Sequence, residues 1–507
     1  MNTEDNRTEA PEPSTGPSLR ARVTKGVFWT AASNWGDQLA RLLVFVVLSR
    51  ILEPEAFGLV ALAWVLIGFT EVIAEQGLVD ALVQRKHLEP AHLDTAFWMA
   101  MGFGVLLAVA LAALAQPIAA LLGEEELAPI LAALSLVIPI SGSCLVQRAI
   151  LTREMAFRSL ALRTLLSVGV GSVFGVSAAL LGFGVWSLVI QIFAVQITAA
   201  VVLWSVAGWR PRTHFSRSHF NDLFQFGKHV VGFRLLNFSK NNADNFIIGS
   251  VLGPVSLGYY VVGYRILRLV IQFTSNLVDR VAFPLYARLQ DEPDRFRRAY
   301  YKSASFAALV AFPAFTGILV LAPEIVSVLF GPKWSESVPV MQVLSVLGII
   351  RSLSYLNSST LTGLGKPSWR VIIVGITTVL SVSAFLLVVT HGIVAVAIAA
   401  VCVELAVTPL SYWAVNRLVT IDFRAYFRHI RGPIVASVVL ACVMLGLREL
   451  FADADSLLTL VAVSGTGILV YFTAIRIVAP GLSDEARALV GDALPSRDRG
   501  RRMPSSR

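Results

Sequence analysis

Apolar residues in this chain come in long unbroken blocks, not in the narrow stripes that a soluble helix turns toward its core. Runs such as "VGVGSVFGVSAALLGFGVWSLVIQIFAVQITAAVVLW" and "VIIVGITTVLSVSAFLLVV" recur from end to end. A helix needs about 20 apolar residues to cross the hydrocarbon core of a bilayer. Blocks of that size fall at about 26–48, 57–76, 95–116, 127–147, 160–181, 184–206, 227–250, 257–282, 303–322, 337–358, 371–390, 392–415, 433–450 and 457–477. The pattern predicts an all-α polytopic membrane protein of about 14 transmembrane helices. Composition agrees: 56% of the residues are hydrophobic and 15% charged, more apolar matter than a soluble core absorbs.

The blocks carry an internal repeat. "LSRILEPEAFG" closes the first predicted helix and opens the second, and "IIGSVLGPVSLG" does the same between the seventh and eighth. Leu52, Pro54 and Gly58 thereby coincide with Leu252, Pro254 and Gly258. The next polar loops match as well, setting Leu82, Arg85 and Pro90 against Leu285, Arg288 and Pro293. "LTREMAFR" before the fifth helix resembles "GLGKPSWR" before the eleventh. Three matches in one order, each between the same pair of helices, exceed what apolar composition alone produces. An even number of helices per half lets both halves cross in the same sense. That predicts two parallel-repeat six-helix lobes around a central cleft, plus two C-terminal helices. The expected divisions are a cytoplasmic tail at 1–24, an N-lobe at 25–224, a C-lobe at 225–416, two further helices at 417–478 and a basic tail at 479–507.

The net charge of +9 says less than its placement. With the N-terminus inside, roughly three quarters of the Lys and Arg fall in cytoplasmic tails and loops, and two or three on the other face. Arg148, Arg153 and Arg158 share one such loop, and Arg295, Arg297 and Arg298 another. The basic excess is therefore a topology signal for a multi-pass inner-membrane protein with both termini cytoplasmic. Nucleic acid is not an expected partner, because no basic soluble domain exists to bind it. The first two dozen residues are polar and acidic at the start, so they read as a disordered tail and not as a signal peptide. Cys144, Cys402 and Cys442 lie inside apolar blocks without metal-type spacing and are expected to act as small packing residues. No cofactor or metal is expected.

Ionisable residues at membrane depth are costly and face a bundle interior or a wet cavity. Here they form helical stripes. Asn34, Asp37, Gln38 and Arg41 share a face of the first helix, with Asp37 and Arg41 at ion-pair spacing. Arg234, Asn237, Asn241 and Asp244 share a face of the seventh, where Lys240 is spaced to pair with Asp244. The eighth carries Arg265, Arg268, Gln272, Asn276 and Asp279; the tenth adds Arg351 and Tyr355. These predict a hydrated cleft for an anionic, polyhydroxylated ligand, lined by Arg41, Arg234, Lys240, Asn241, Asp244, Arg268, Gln272, Asn276 and Arg351. Arginine suits phosphate because its fixed fork binds two oxygens and stays charged, and Asn and Gln suit sugar hydroxyls because each both donates and accepts. Simpler readings stand beside these. Arg41 serves the cleft or merely neutralises Asp37; Lys240 stands in the same relation to Asp244, and Arg265 and Arg280 could snorkel to headgroups. Arg234, Arg268 and Arg351 have no obvious ion-pair partner within their own helix. Asp37, Glu71, Glu75 and Glu404 are candidates for ion coupling, or else flank the interface and structural pairs.

"LSRILEPEAFGLVALAWVLIGFTEVIAEQGLVDALVQRKHLEPAHLDTAFWM" resembles the N-terminal signature of the polysaccharide transporter family. This is the Wzx-type O-antigen and exopolysaccharide flippase branch of the multidrug/oligosaccharidyl-lipid/polysaccharide exporter superfamily. "NADNFIIGSVLGPVSLGYYVVGYRI" and "VAFPLYARLQDEPDRFRRAY" resemble its second-half signature, closest to the colanic-acid-exporter subgroup. The resemblance covers roughly residues 24–420. It implies a two-lobed fold and a polyprenyl-diphosphate-linked oligosaccharide as cargo, moved between leaflets by alternating access for surface polysaccharide synthesis. The family's cationic cavity corresponds in character to Arg41, Lys240, Arg268 and Arg351. A polysaccharide polymerase and chain-length machinery are partner candidates, and a monomer is expected because each lobe supplies half the pathway.

A cation or drug exporter of the same superfamily would favour acidic residues in the cleft, whereas these stripes lean basic. A peptidoglycan-precursor flippase fits the quoted strings less well. A membrane enzyme such as an O-antigen polymerase or ligase needs a sizeable outer loop with catalytic groups. The longest here, near "PEIVSVLFGPKWSES", is short, and no nucleophile–base pair or nucleotide-binding loop is recognisable.

Overall fold

The computed structural model describes residues 36–85, 87–290 and 292–485; side chains at 226, 228, 229, 275–285 and 287 fall outside that description. Among the described residues all regular structure is helical. The first half contains α1 (36–51), α2 (Pro54–Glu75), α3 (Leu78–Gln84), α4 (Pro90–Leu122), α5 (Leu127–Ser135), α6 (Val137–Ser143), α7 (Leu145–Arg153), α8 (Phe157–Leu180) and α9 (Trp186–Val206). The second contains α10 (Arg217–Val251), α11 (Gly253–Arg288), α12 (Pro293–Ile325), α13 (Ser337–Gly363), α14 (Pro367–Val388) and α15 (Ile393–Leu418). Two more helices follow, α16 (Phe423–Leu450) and α17 (Ser456–Val478).

Among the described residues, eleven helical units are long and apolar enough to cross a membrane. The 35 residues of α10 and 36 of α11 are long enough too, but they carry the polar stripes. With α1 they complete the fourteen. Most helices run past their apolar blocks: α10 begins at Arg217, ten residues before the block does, and α16 at Phe423. Apolarity marks the hydrocarbon, whereas a helix continues until its backbone bonds are capped or a proline intervenes. Pro54, Pro90, Pro293 and Pro367 occupy first-turn positions of α2, α4, α12 and α14, where a missing N–H costs nothing. The fourth predicted helix is one membrane-crossing unit, Leu127–Arg153, but made of three segments, α5, α6 and α7.

The repeat has a direct packing cause. A Cβ added to Gly58 would lie 1.7 Å from the carbonyl oxygen of Pro254, and one added to Gly258 would lie 2.0 Å from that of Pro54. Each motif's glycine is therefore the socket for the other motif's proline, and α2 and α11 cross there about a pseudo-two-fold axis. The second match holds too: Arg85 caps α3 and Arg288 ends α11, and Pro90 and Pro293 start the next helices. The halves differ at one point. Gln76 and Gly77, at φ of 46° and 66°, break the first half's crossing unit into α2 and α3, while α11 continues unbroken. That kink receives Gly227, whose added Cβ would lie 2.2 Å from the Gln76 carbonyl oxygen.

On the face that charge placement assigns to the outside, the α12–α13 turn clamps the α1–α2 turn. The indole of Trp334, wholly buried, donates to the Ser49 carbonyl at 2.9 Å, and Lys333 Nζ donates to that of Leu52 at 2.7 Å. Arg50 donates in return to carbonyls of the π-helical turn Val326–Phe330. At the opposite end Arg234 of α10 binds Glu75 at 3.1 Å and Asp80 at 2.7 Å. The lobes thus touch at both ends.

Helices α16 and α17 pack on α12 through Leu440, Met444, Val463 and Tyr471, and Arg448 binds Glu324 at 2.7 Å. Outward-facing Leu457, Val461, Leu469 and Phe472 are more than half exposed, the surface expected of a helix bathed in lipid.

Candidate functional site

Between the two clamped ends lies a cavity of about 540 Å³, walled by α1, α2, α8 and α9 on one side and α10 and α11 on the other. Its polar lining comprises Arg41, Arg265, Arg268, Gln191, Gln196, Asn242, Asn245, Ser172 and Tyr264; no carboxylate lines it among the described residues. Arg41 Nε is bound to Asp37 at 2.7 Å, so one of the three cations is already compensated. Arg268 lies over the ring of Tyr264 at 5.0 Å and Arg265 over that of Phe45 at 4.7 Å, an aromatic seat that holds a guanidinium without consuming its donors. Arg265 gives one N–H to the Arg41 carbonyl at 3.4 Å, while its buried Nε has no partner. Arg265 is therefore a wall residue of the cavity rather than a headgroup anchor.

A second, apolar space of about 480 Å³ opens between α2, α10 and α14. It is lined by Phe69, Phe238, Phe246, Ile247, Val382 and Leu386 among others, and shares Val65 and Asn242 with the cationic cavity.

Several residues expected in one cleft sit elsewhere. Lys240, Asn241, Arg351 and Glu404 line a separate cavity of about 220 Å³ inside the second half, between α10, α13, α14 and α15. They turn away from the interface because α10 presents Asn242 and Asn245 to it and Lys240 and Asn241 to its own lobe. Arg351 donates to Glu404 at 3.1 Å and to the Tyr264 hydroxyl at 2.8 Å. Asp244 does not pair with Lys240; it accepts from Tyr260 OH at 3.0 Å and from the Asn245 N–H at 2.8 Å. Arg234 is committed to Glu75 and Asp80, and Glu75 also binds Arg148 at 2.7 Å. Glu71 accepts from Ser141 at 2.8 Å, which in turn accepts from Gln196 of the cavity wall at 3.3 Å. Gln272 accepts from Gln38 at 2.9 Å, joining α11 to α1. The Asn276 side chain lies outside the described residues. Within-helix spacing could not reveal the cross-helix partners of Arg234 and Arg351, nor Gln191 and Gln196, which sit in an otherwise apolar helix.

Glu89, His92 and His219 come close enough to suggest a metal. The donor set does not fit one: Arg85 Nη1 donates to His92 Nε2 at 2.7 Å, so a guanidinium already holds the ring's one acceptor nitrogen.

Residues 47–339 match the model of the polysaccharide biosynthesis protein family. The chain belongs to this family. Among its relatives, the succinoglycan biosynthesis transport protein ExoT of Rhizobium meliloti (strain 1021) is 30% identical, with 95% of this chain and 99% of that one covered. The lipopolysaccharide biosynthesis protein WzxC of Escherichia coli (strain K12) is 27% identical over 66% of this chain and 69% of that one. The fold is shared with the lipid II flippase MurJ in its inward closed conformation, at a TM-score of 0.74, 13% identity, and 91% and 99% coverage. ExoT is a transport protein by name, and the described helices make this chain a multi-pass membrane protein.

Proposed function

We propose that the protein is a flippase for polyprenyl-diphosphate-linked oligosaccharides in surface polysaccharide synthesis, working by alternating access and catalysing no bond chemistry. The observation that carries this reading is the interface cavity with Arg41, Arg265 and Arg268 on its walls and no carboxylate among the described residues. A diphosphate needs such cations, and a lipophilic drug cation would be repelled by them. Gln191, Gln196, Asn242 and Asn245 supply donors and acceptors for a glycan. The apolar space at α2, α10 and α14 meets the cationic cavity at Val65 and Asn242, so an amphipathic ligand has a polar seat beside an apolar one. On this reading both termini lie on the cytoplasmic side of a bacterial inner membrane and transport runs outward. An inside-negative potential favours outward movement of an anion by about 2.3 kcal/mol per charge per 100 mV.

Reconstitution tests this directly. Proteoliposomes loaded with a polyprenyl-diphosphate oligosaccharide should move it between leaflets, read by protection from a glycosidase added outside. Transport of ethidium-type cations with no movement of the lipid-linked glycan would replace this reading with that of a drug exporter.

A further inference from the structure

We infer that the cavity inside the second lobe, apart from the interface cavity, is a binding site for one small monovalent inorganic anion of halide size. The space is about 220 Å³ and is walled by α10, α13, α14 and α15. Lys240, Arg351 and Arg370 line it, with Glu404 as the one carboxylate. An adjoining void of about 10 Å³ adds Asp244, again beside Lys240 and Arg351. Three cations therefore face two carboxylates, and one positive charge is left over at membrane depth, where an uncompensated charge is expensive.

The partners are unevenly shared. Glu404 is taken by Arg351, and Asp244 by Tyr260 and the Asn245 N–H. Lys240 has neither hydrogen bond nor ion pair among the described residues. Among the described residues Arg370 reaches only Thr362, at 3.5 Å, and the face of Phe233, and its buried Nε is unpartnered. The ammonium and the free guanidinium edge lie on one cavity wall set whose remaining polar lining includes Ser354, Ser358, Thr377, Thr408 and Ser411. Thr377, Thr408 and Ser411 already give their protons to carbonyls of their own helices, so the cationic nitrogens are the donors left to receive a partly dehydrated halide. One bound monovalent anion balances the charge. Tyr264 lies between the two sites, its hydroxyl accepting from Arg351 and its ring under Arg268, so occupancy here adjoins the interface cavity.

The test uses purified full-length protein in nanodiscs without any glycan lipid, which excludes a substrate carboxylate as the ligand. Thermal unfolding is followed while chloride replaces gluconate at constant ionic strength. The inference expects a saturable rise in Tm with chloride and bromide. Lys240→Met should weaken the apparent affinity about tenfold or more, and Arg268→Ala, in the other cavity, should leave it unchanged. If Lys240→Met does not fold, Arg370→Gln makes the same comparison, and a bromide anomalous peak near Lys240 locates the ion. A halide effect absent from the wild type overturns the inference. So does one lost in Arg268→Ala and kept in Lys240→Met, since the anion then sits at the interface.

Discussion

Arg265 is held on two sides: its guanidinium rests on Phe45 and one N–H meets the Arg41 carbonyl, while the residue lines the cavity wall. Arg268 is seated on Tyr264 in the same manner. A charge-assisted hydrogen bond is worth about 1.5–3 kcal/mol, so Arg265→Ala and Arg268→Ala should each lower export about tenfold or more at unchanged protein level. Arg268→Lys should recover only part, because an ammonium lacks the two-pronged fork. Surface glycan per cell, normalised to membrane-inserted protein, is the readout. Glu404 plays a different part. Glu404→Ala would leave Arg351, Lys240 and Arg370 facing Asp244 alone, and breaking a buried pair costs about 3–5 kcal/mol. A large drop in Tm of the purified variant is expected, and a smaller one for Glu404→Gln. At this scale the sequence revealed which helices carry charge but not where each charge points. Spacing within a helix shows the Asp37–Arg41 pair, observed at 2.7 Å, and is blind to Arg351–Glu404, whose partners are 53 residues apart.

Among the elements, the crossing of α2 and α11 is the most constrained. Gly58 and Gly258 accept the Pro254 and Pro54 carbonyls at distances no side chain allows. Gly58→Val and Gly258→Val should each pry this end apart. The reporter is Ser49→Cys, buried beneath Trp334, in a background lacking Cys144, Cys402 and Cys442. Its labelling by a water-soluble maleimide should rise in both glycine variants. Gly102→Val is the control, since nothing lies within 4 Å of its added Cβ, and labelling there should match the parent. The repeat was legible because these contacts are reciprocal: one motif needs the other's shape, so both keep Leu, Pro and Gly at one spacing. A further correspondence is visible only in the backbone. The turns after Pro117 and Pro323 both place a positive-φ glycine, Gly123 and Gly331, but one continues as Glu124–Glu126 and the other as Pro332–Trp334. Divergent chemistry hid a shared backbone. Helix ends were the least legible feature, since α4, α10, α12 and α16 extend through polar residues that an apolar count leaves out.

For the whole molecule, two lobes clamped at both ends around a cationic space form a device that can open either end only by breaking one clamp. Trp334, Lys333 and the paired glycines hold one end; Arg234 with Glu75 and Asp80 holds the other. The topology that gives these ends their sides is checked by single cysteines in intact cells. Arg295→Cys should be shielded from a membrane-impermeant maleimide, and Asp453→Cys, in the exposed α16–α17 turn, should react. The lobed architecture was readable because hydropathy and the repeat act at the scale of tens of residues, as folding into a bilayer does. The split of the charged residues between an interface cavity and a lobe cavity was not, because it depends on the rotation of α10 about its axis.

If the cavity passes a lipid-linked anionic glycan, deletion of the gene should remove one surface polysaccharide and leave its polyprenyl-linked repeat unit on the cytoplasmic face, as read by analysis of lipid-linked and surface glycans. Unchanged glycans on both sides of the membrane, together with new sensitivity to cationic drugs, would contradict it.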